Sequence, residues 1–551
     1  VRPIRESVSG ETAAVAGRFS WSDWSARLAA LLGRAAVGEQ VVHAPGDAVG
    51  QEVDVGQTEI LTHLLVLPAV LLLTLWLGMK IATQVRRSAS APAALPAQVA
   101  ARPLEGTPAG MTDEAVRHFQ MALVDSEVSL LAGDQATQVA TAVLQRSVCP
   151  QLDEHLQDLD GTPVFTARMP ALELVLDDRQ APLPDGLPER TERARQLLTK
   201  VWRGLATRVL DTAEHAAWQA LKPTRLADAK TPIDQAPSHL AGVAQPRVDL
   251  GAAPAPQMLV GVLVPAVWTE SQQQWWLGVA QDVWRELAQS WGEGLPWRMS
   301  WRLWPLQTPE ALWSEVDRLA LSWARQGAPQ SLVVLAADSA VDEAAIEQRL
   351  GRGELFTALH QQGRVPGEGA AAVWLASPTW PGLATQELTA LALSRPVWAE
   401  RDKSADAHGR IGAQRLQQCL SEAMARSASS SLPTSEPVPQ PTWVVVSDAD
   451  HRPSRTSELY ESLTEVVPEL DPSTSVYRLG DACGDLGLAS ALSPVAVAHG
   501  LLRQQLEQAE EGVSPQALAV HVQSPLTRVV VALKRWPFHE AVNQEAVKRV
   551  G

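Results

Sequence analysis

Residues 331–357 read SLVVLAADSAVDEAAIEQRLGRGELFT, and residues 363–377 read GRVPGEGAAAVWLAS. The run SLVVLAADS is short and continuously apolar and ends in Asp338-Ser339, the pattern of a strand buried on both faces. Gly367 and Gly369 permit tight backbone turns beside a packed sheet before the apolar run resumes.

Working outward, the same alternation continues on both sides. MLVGVLVPAVW (258–268) reads as a buried strand, and QQQWWLGVAQDVWRELAQSW (272–291) as an amphipathic helix with Trp276, Val279, Val283 and Leu287 on one face. WRMSWRLW (297–304) alternates as a strand, and TPEALWSEVDRLALSWARQ (308–326) is helical. Downstream, TWVVVSDAD and RTSELYESLTEVV form a strand and a helix, while AVHVQS and TRVVVALK close the chain as a hairpin. Strands alternating with helices imply an α/β fold with covered sheets. Upstream, FQMALVDSEVSLLAG (119–133) is apolar, and a long helical run extends from Glu192 to Leu221.

Three stretches rich in Ala, Pro, Ser and Gly divide this material: about 83–110, 222–256 and 427–441. They leave blocks at 111–221, 257–426 and 442–551. The 551 residues are 46% hydrophobic and 20% charged, a globular composition. A net charge of −16 leaves no basic surplus to neutralise phosphates, which argues against a nucleic-acid partner. Cys149, Cys419 and Cys483 are too far apart for a C-x-x-C zinc or redox motif, and no disulfide framework is expected. Of the 20 tryptophans, ten lie between Trp268 and Trp323 at helical and strand spacing, which points to core packing or an oligomer interface.

Three stretches together resemble the β-ketoacyl synthase branch of the thiolase superfamily. They are 331–377, with Asp338-Ser339 and the Pro366-Gly367-Glu368-Gly369-Ala370-Ala371 turn; VVVSDADHRPSRTSE (444–458); and GDACGDLGLASALSPVAVAHGLL (480–502). The resemblance implies a thiolase-like αβαβα layered body, with 257–426 as its N-terminal half and 442–551 as its C-terminal half. It also implies a homodimer.

That family's chemistry needs a cysteine nucleophile at a helix N-terminus, where the dipole lowers its pKa, and imidazoles to stabilise the thioester oxyanion. The nucleophile is expected around 295–310, where LPWRMSWRLWPLQTPE offers no cysteine, no serine at a helix start and no alternative base. Asp448 stands near the place of the first histidine and Asp485 in that of the second. His451 reads as solvent-facing, and Cys483, beside Asp485, as structural. No catalytic, cofactor or metal residue is assigned, and the expectation is a pseudo-enzyme that needs no cofactor.

Residues 61–81 read LTHLLVLPAVLLLTLWLGMKI. About 20 apolar residues at roughly 1.5 Å each cross a bilayer core of about 30 Å, so the reading is one transmembrane helix over 59–82. Acidic residues precede it, and Lys80, Arg86, Arg87 and Arg102 follow, so the positive-inside rule puts the large C-terminal part in the cytoplasm at a bacterial inner membrane. The leader, 1–58, then lies outside and carries a short amphipathic helix through Trp21, Trp24, Leu28 and Leu31. The functional expectation is a membrane-anchored scaffold or adaptor for an unidentified protein in a bacterial envelope assembly; type VI secretion is one such setting. The alternative is an acyl-binding or acyl-transfer protein of lipid or polyketide metabolism with an atypical ketoacyl synthase site.

Overall fold

The computed structural model describes residues 116–170, 190–216, 256–291, 294–383, 389–407, 412–428, 440–509 and 513–537, together with Leu172, Trp218 and Gly409. The leader, the 59–82 helix and most of the three linkers lie outside the described residues. Among the described residues no helix is long and apolar enough to cross a membrane.

Strand β1 (Gln120–Leu130) opens the sheet, followed by helix α1 (Ala136–Gln145), a small hairpin of β2 (Gln151–Gln157) and β3 (Pro163–Thr166), and α2 (Arg190–Asp211). Next come β4 (Gln257–Pro265), α3 (Glu270–Trp291), β5 (Arg298–Leu306), α4 (Leu312–Gln326), β6 (Gln330–Ser339), α5 (Glu343–Arg352) and β7 (Glu368–Ala376). The second set is β8 (Leu391–Ser394), β9 (Val397–Glu400), α6 (Gln414–Ala428), β10 (Gln440–Ser447), α7 (Pro453–Val466), β11 (Val476–Arg478), α8 (Ser493–Gln508), β12 (Val513–His521) and β13 (Thr527–Arg535).

The order across the sheet is β11-β10-β12-β13-β8-β1-β7-β6-β4-β5, with β9 pairing β13 off that path. Counting the main strands of each half in chain order, both halves read 3-2-4-5-1, and in both the fifth strand runs antiparallel to its neighbours. The halves join through the first strand of each, β1 against β8. A duplicated mixed sheet of this kind is a thiolase-like α/β body. By strand order its second half opens at Leu391, ahead of the 427–441 linker, and its first half includes the apolar stretch near 120.

Helices cover both faces. On the outer side of the first half, α2 and α3 bury Leu197, Trp202, Leu205, Trp276 and Val283 against Val260, Val333 and Trp374. On the outer side of the second half, α6 and α7 bury Leu416, Leu420, Leu459 and Leu463 against Val445, Leu518 and Val530. Inner-face residues of both halves share a third cluster with α1, α4 and α8. Strand β7 is buried at every position and uses Gly369 and four alanines, which lets helices approach it from both sides.

The two glycine-rich motifs meet at the centre. Gly367 N donates to Asp485 O (3.2 Å), and Asp485 N donates to Val365 O (2.8 Å). A Cβ on Gly367 would collide with the Cys483 carbonyl oxygen. At Gly487, φ of +54° and the Asp338 carboxylate against the Cα both exclude a side chain. The close approach at Gly367 and Gly487 is therefore between the two halves themselves.

Candidate functional site: a buried acid cluster and the cleft beside it

The site is built where β5 hands over to α4. After Leu306 the chain makes an extended turn at Thr308, then a 3-10 turn over Pro309–Ala311 that feeds directly into α4. Proline suits the first helical position, because its fixed φ is preorganised and its missing N–H is not needed there. This places Glu310 at the helix start and turns its side chain inward: it is 5% exposed.

From the second half, β10 ends at Ser447 and delivers Asp448, 4% exposed; β12 ends at His521, 1% exposed. Asp448 Oδ1 accepts the backbone N–H groups of Val522 (2.7 Å) and Gln523 (3.2 Å), which ties the two strand ends together. Its Oδ2 lies 3.6 Å from His521 Nδ1. The His521 ring faces Trp313 on α4, with centroids 5.7 Å apart. Burial first, and then the Asp448 carboxylate, push Glu310 above its ordinary value of 4.5. Glu310 Oε2, Asp448 Oδ2 and both His521 ring nitrogens are buried with no hydrogen-bond partner.

Asp485 is buried too, but in a different environment. Its Oδ2 is 3.0 Å from Arg349 and 3.4 Å from Arg364, and its Oδ1 accepts from Gly487 N (3.1 Å). Burial alone would raise its pKa; the two guanidinium groups outweigh that and hold it far below the usual carboxylate range. Asp485, which stands in the place of the second histidine, is thus paired with arginines from α5 and the 363–377 stretch. The expectation of a solvent-facing His451 is corrected: it is half-buried with its ring edge-on to Phe356 at 4.8 Å. Cys483 is fully buried and its thiol is pushed up to about 12, and Cys419 is buried with the same result.

A cleft of about 820 Å³ opens one loop away, between the 353–364 segment, residues 405–407 with Gly409, and the start of α7. Its wall carries Arg364, Arg452, Ser454, Ser457 and His360. Arg452 is almost wholly buried and anchored to Asp450 (2.8 Å) and to Gln523 O (3.3 Å). Behind it, Arg455 binds Asp406 (2.7 Å), and burial followed by the proximity of Arg452 pushes its pKa down to about 10. Gln523 thus links the compartments: its N–H is held by Asp448, and its carbonyl by Arg452 and Arg455. Among the described residues no group of three His, Cys, Asp or Glu side chains is placed to hold a metal ion.

Sequence reasoning located Asp448 and missed Glu310 and His521. An acid in the first turn of a helix is the ordinary response to the helix dipole, so the Thr-Pro-Glu start gave no reason to suspect burial. The usable signal was its position, at the first helix start after the third strand, inside the 295–310 window.

No protein-family model matches the chain, and no curated protein matches it. Among solved structures it is similar to the ishigamide ketosynthase/chain length factor, at 13% identity over 76% of this chain and 99% of that one, with a TM-score of 0.43. It is similar to the ketosynthase from module 6 of the bacillaene synthase of Bacillus subtilis 168, at 10% identity over 76% and 72%, TM-score 0.43. It is also similar to Xanthomonas campestris OleA, at 15% identity over 51% and 73%, TM-score 0.31.

Proposed function

We propose that this chain is a thiolase-like binding protein that takes an acyl-thioester ligand in the cleft beside Arg364 and Arg452 without becoming acylated. The observation that carries this reading is Glu310. A buried carboxyl stands at the helix start where the resembled family's thiol is expected, and burial disfavours its nucleophilic, ionised form. Neither Cys419 nor Cys483 replaces that thiol, since both are buried and held protonated. The cleft stays open to solvent within a few residues of Asp448, so binding and acylation are separable. The test is to incubate the protein with an acyl-pantetheine thioester, record the intact mass, and measure binding by calorimetry. Saturable binding, weakened about tenfold or more in Arg452→Ala, with no acyl mass added, supports the reading. An acyl adduct on the chain, or no binding at all, overturns it.

A second reading concerns where the body works. The 61–81 stretch favours attachment to a bacterial inner membrane with the thiolase-like body in the cytoplasm, where it serves as a scaffold. Strand β5 lies at the end of the sheet order, and Met299, Trp301 and Leu303 along it are only partly buried, which favours self-association there. Recovery of the full-length protein in the detergent phase with a dimeric mass supports this reading; a soluble monomer contradicts it.

A further inference from the structure

Three buried titratable side chains from the two halves line the seam: Asp448 Oδ2 and His521 Nδ1 are 3.6 Å apart, and the His521 ring lies 5.7 Å from Trp313, on the helix that Glu310 leads into, with no lysine or arginine among the described residues paired to any of the three. Glu310 comes from the first half; Asp448 and His521 come from the second. Four of their polar atoms are buried and unpartnered, which is unusual in a folded interior and calls for a specific explanation. The surrounding charges are engaged elsewhere. On α4, Glu315 pairs with Arg318 and Asp317 with Arg395. On β13, Arg528 is held by Glu458, Lys534 by the Ser427 carbonyl, and Arg535 is exposed at the strand's far end. After β10, Asp450 holds Arg452, and His451 lies against Phe356. The 487–491 turn carries no titratable residue, and Asp338 beneath it is occupied by the amides of Ser339 and Leu488. Among the described residues, a proton is the charge left to balance the two carboxyls.

We propose that this seam is a proton-operated latch between the halves: one proton held among Glu310, Asp448 and His521 keeps it closed, and its loss to solvent loosens it. Closure joins the 309–311 turn to the ends of β10 and β12. With the proton gone, the seam holds two buried carboxylates in a medium that screens their repulsion poorly. Repulsion then acts on the Val522–Gln523 loop, whose carbonyl at Gln523 also holds Arg452 at the cleft wall and Arg455 behind it. The latch is independent of which ligand the cleft takes.

The sign follows from the raised pKa of Glu310. Its stabilising contribution is complete below the ordinary 4.5 and is lost as pH rises through the raised folded-state value. The seam is therefore firmest in mild acid.

The test is hydrogen exchange of the full-length protein read by mass spectrometry, corrected for the intrinsic pH dependence of amide chemistry. Amides in 309–316, 448–452 and 520–524 are expected to exchange at least about tenfold faster at about pH 8.5 than at about pH 5.5, with β6 unchanged as the reference. Glu310→Gln, permanently neutral, is expected to bring that ratio to about one; Asp448→Asn does the same if the glutamine variant fails to fold. A ratio of one in the native protein, or an unchanged ratio in the variants, overturns the proposal.

Discussion

Two kinds of buried carboxylate sit within one fold, and they differ in what faces them. Glu368, Glu458 and Asp485 are each saturated by arginine. Glu368 takes Arg193 through both oxygens, the Ser339 hydroxyl (3.0 Å) and the Met169 N–H (2.6 Å). Glu458 takes Arg528 through two bonds of 2.8–2.9 Å and also pairs with Arg401. Glu310 and Asp448 have no arginine or lysine partner and keep unpartnered oxygens. The first kind is architecture, since Glu368 staples α2 to β6 and β7, and Glu458 staples α7 to β13. A buried charge without a partner costs several kcal/mol unless it neutralises, so the second kind is retained at the expense of stability.

The comparison is broken most severely at Glu368. Glu368→Ala leaves the Arg193 guanidinium buried and unpaired and is expected to cost about 3–5 kcal/mol in urea unfolding. Next is Asp485→Asn. A depressed carboxyl pKa gives stability that is present above the ordinary 3.8 and lost as pH falls toward the folded-state value. The native protein is therefore expected to lose stability in acid by this route; the variant loses about 2–3 kcal/mol at neutral pH and shows a flatter acid limb. The smallest effect has the opposite sign. Glu310→Gln is expected to raise the unfolding midpoint at about pH 8, by up to about 1 kcal/mol, and to leave it unchanged at about pH 4.5. A loss of stability in that variant at pH 8 would place Glu310 with the architectural group.

The same contrast explains what the sequence discloses. Covered strands such as SLVVLAADS and TWVVVSDAD are legible because a short apolar run has few alternatives, and the paired glycines around 367 and 487 announce a close approach. Strand β1 was harder, because FQMALVDSEVSLLAG carries Asp125, Ser126 and Glu127 in its middle, at a register shift against β7. Those residues face Arg208 and His499, partners distant in sequence. The arginines of Asp485 are illegible for the same reason, since Arg349 and Arg364 arrive from another half of the fold. Glu310 and His521 were missed because burial of a single polar residue at the end of an element leaves no periodic signature.

The most direct test of the cation-free cluster is a carbon-13 NMR titration of the glutamate side-chain carboxyls, with Glu310→Gln assigning the resonance. The account predicts that Glu310 titrates above 4.5 and that its midpoint falls when Asp448→Asn removes the neighbouring charge. A midpoint at or below 4.5, or one indifferent to Asp448, contradicts it.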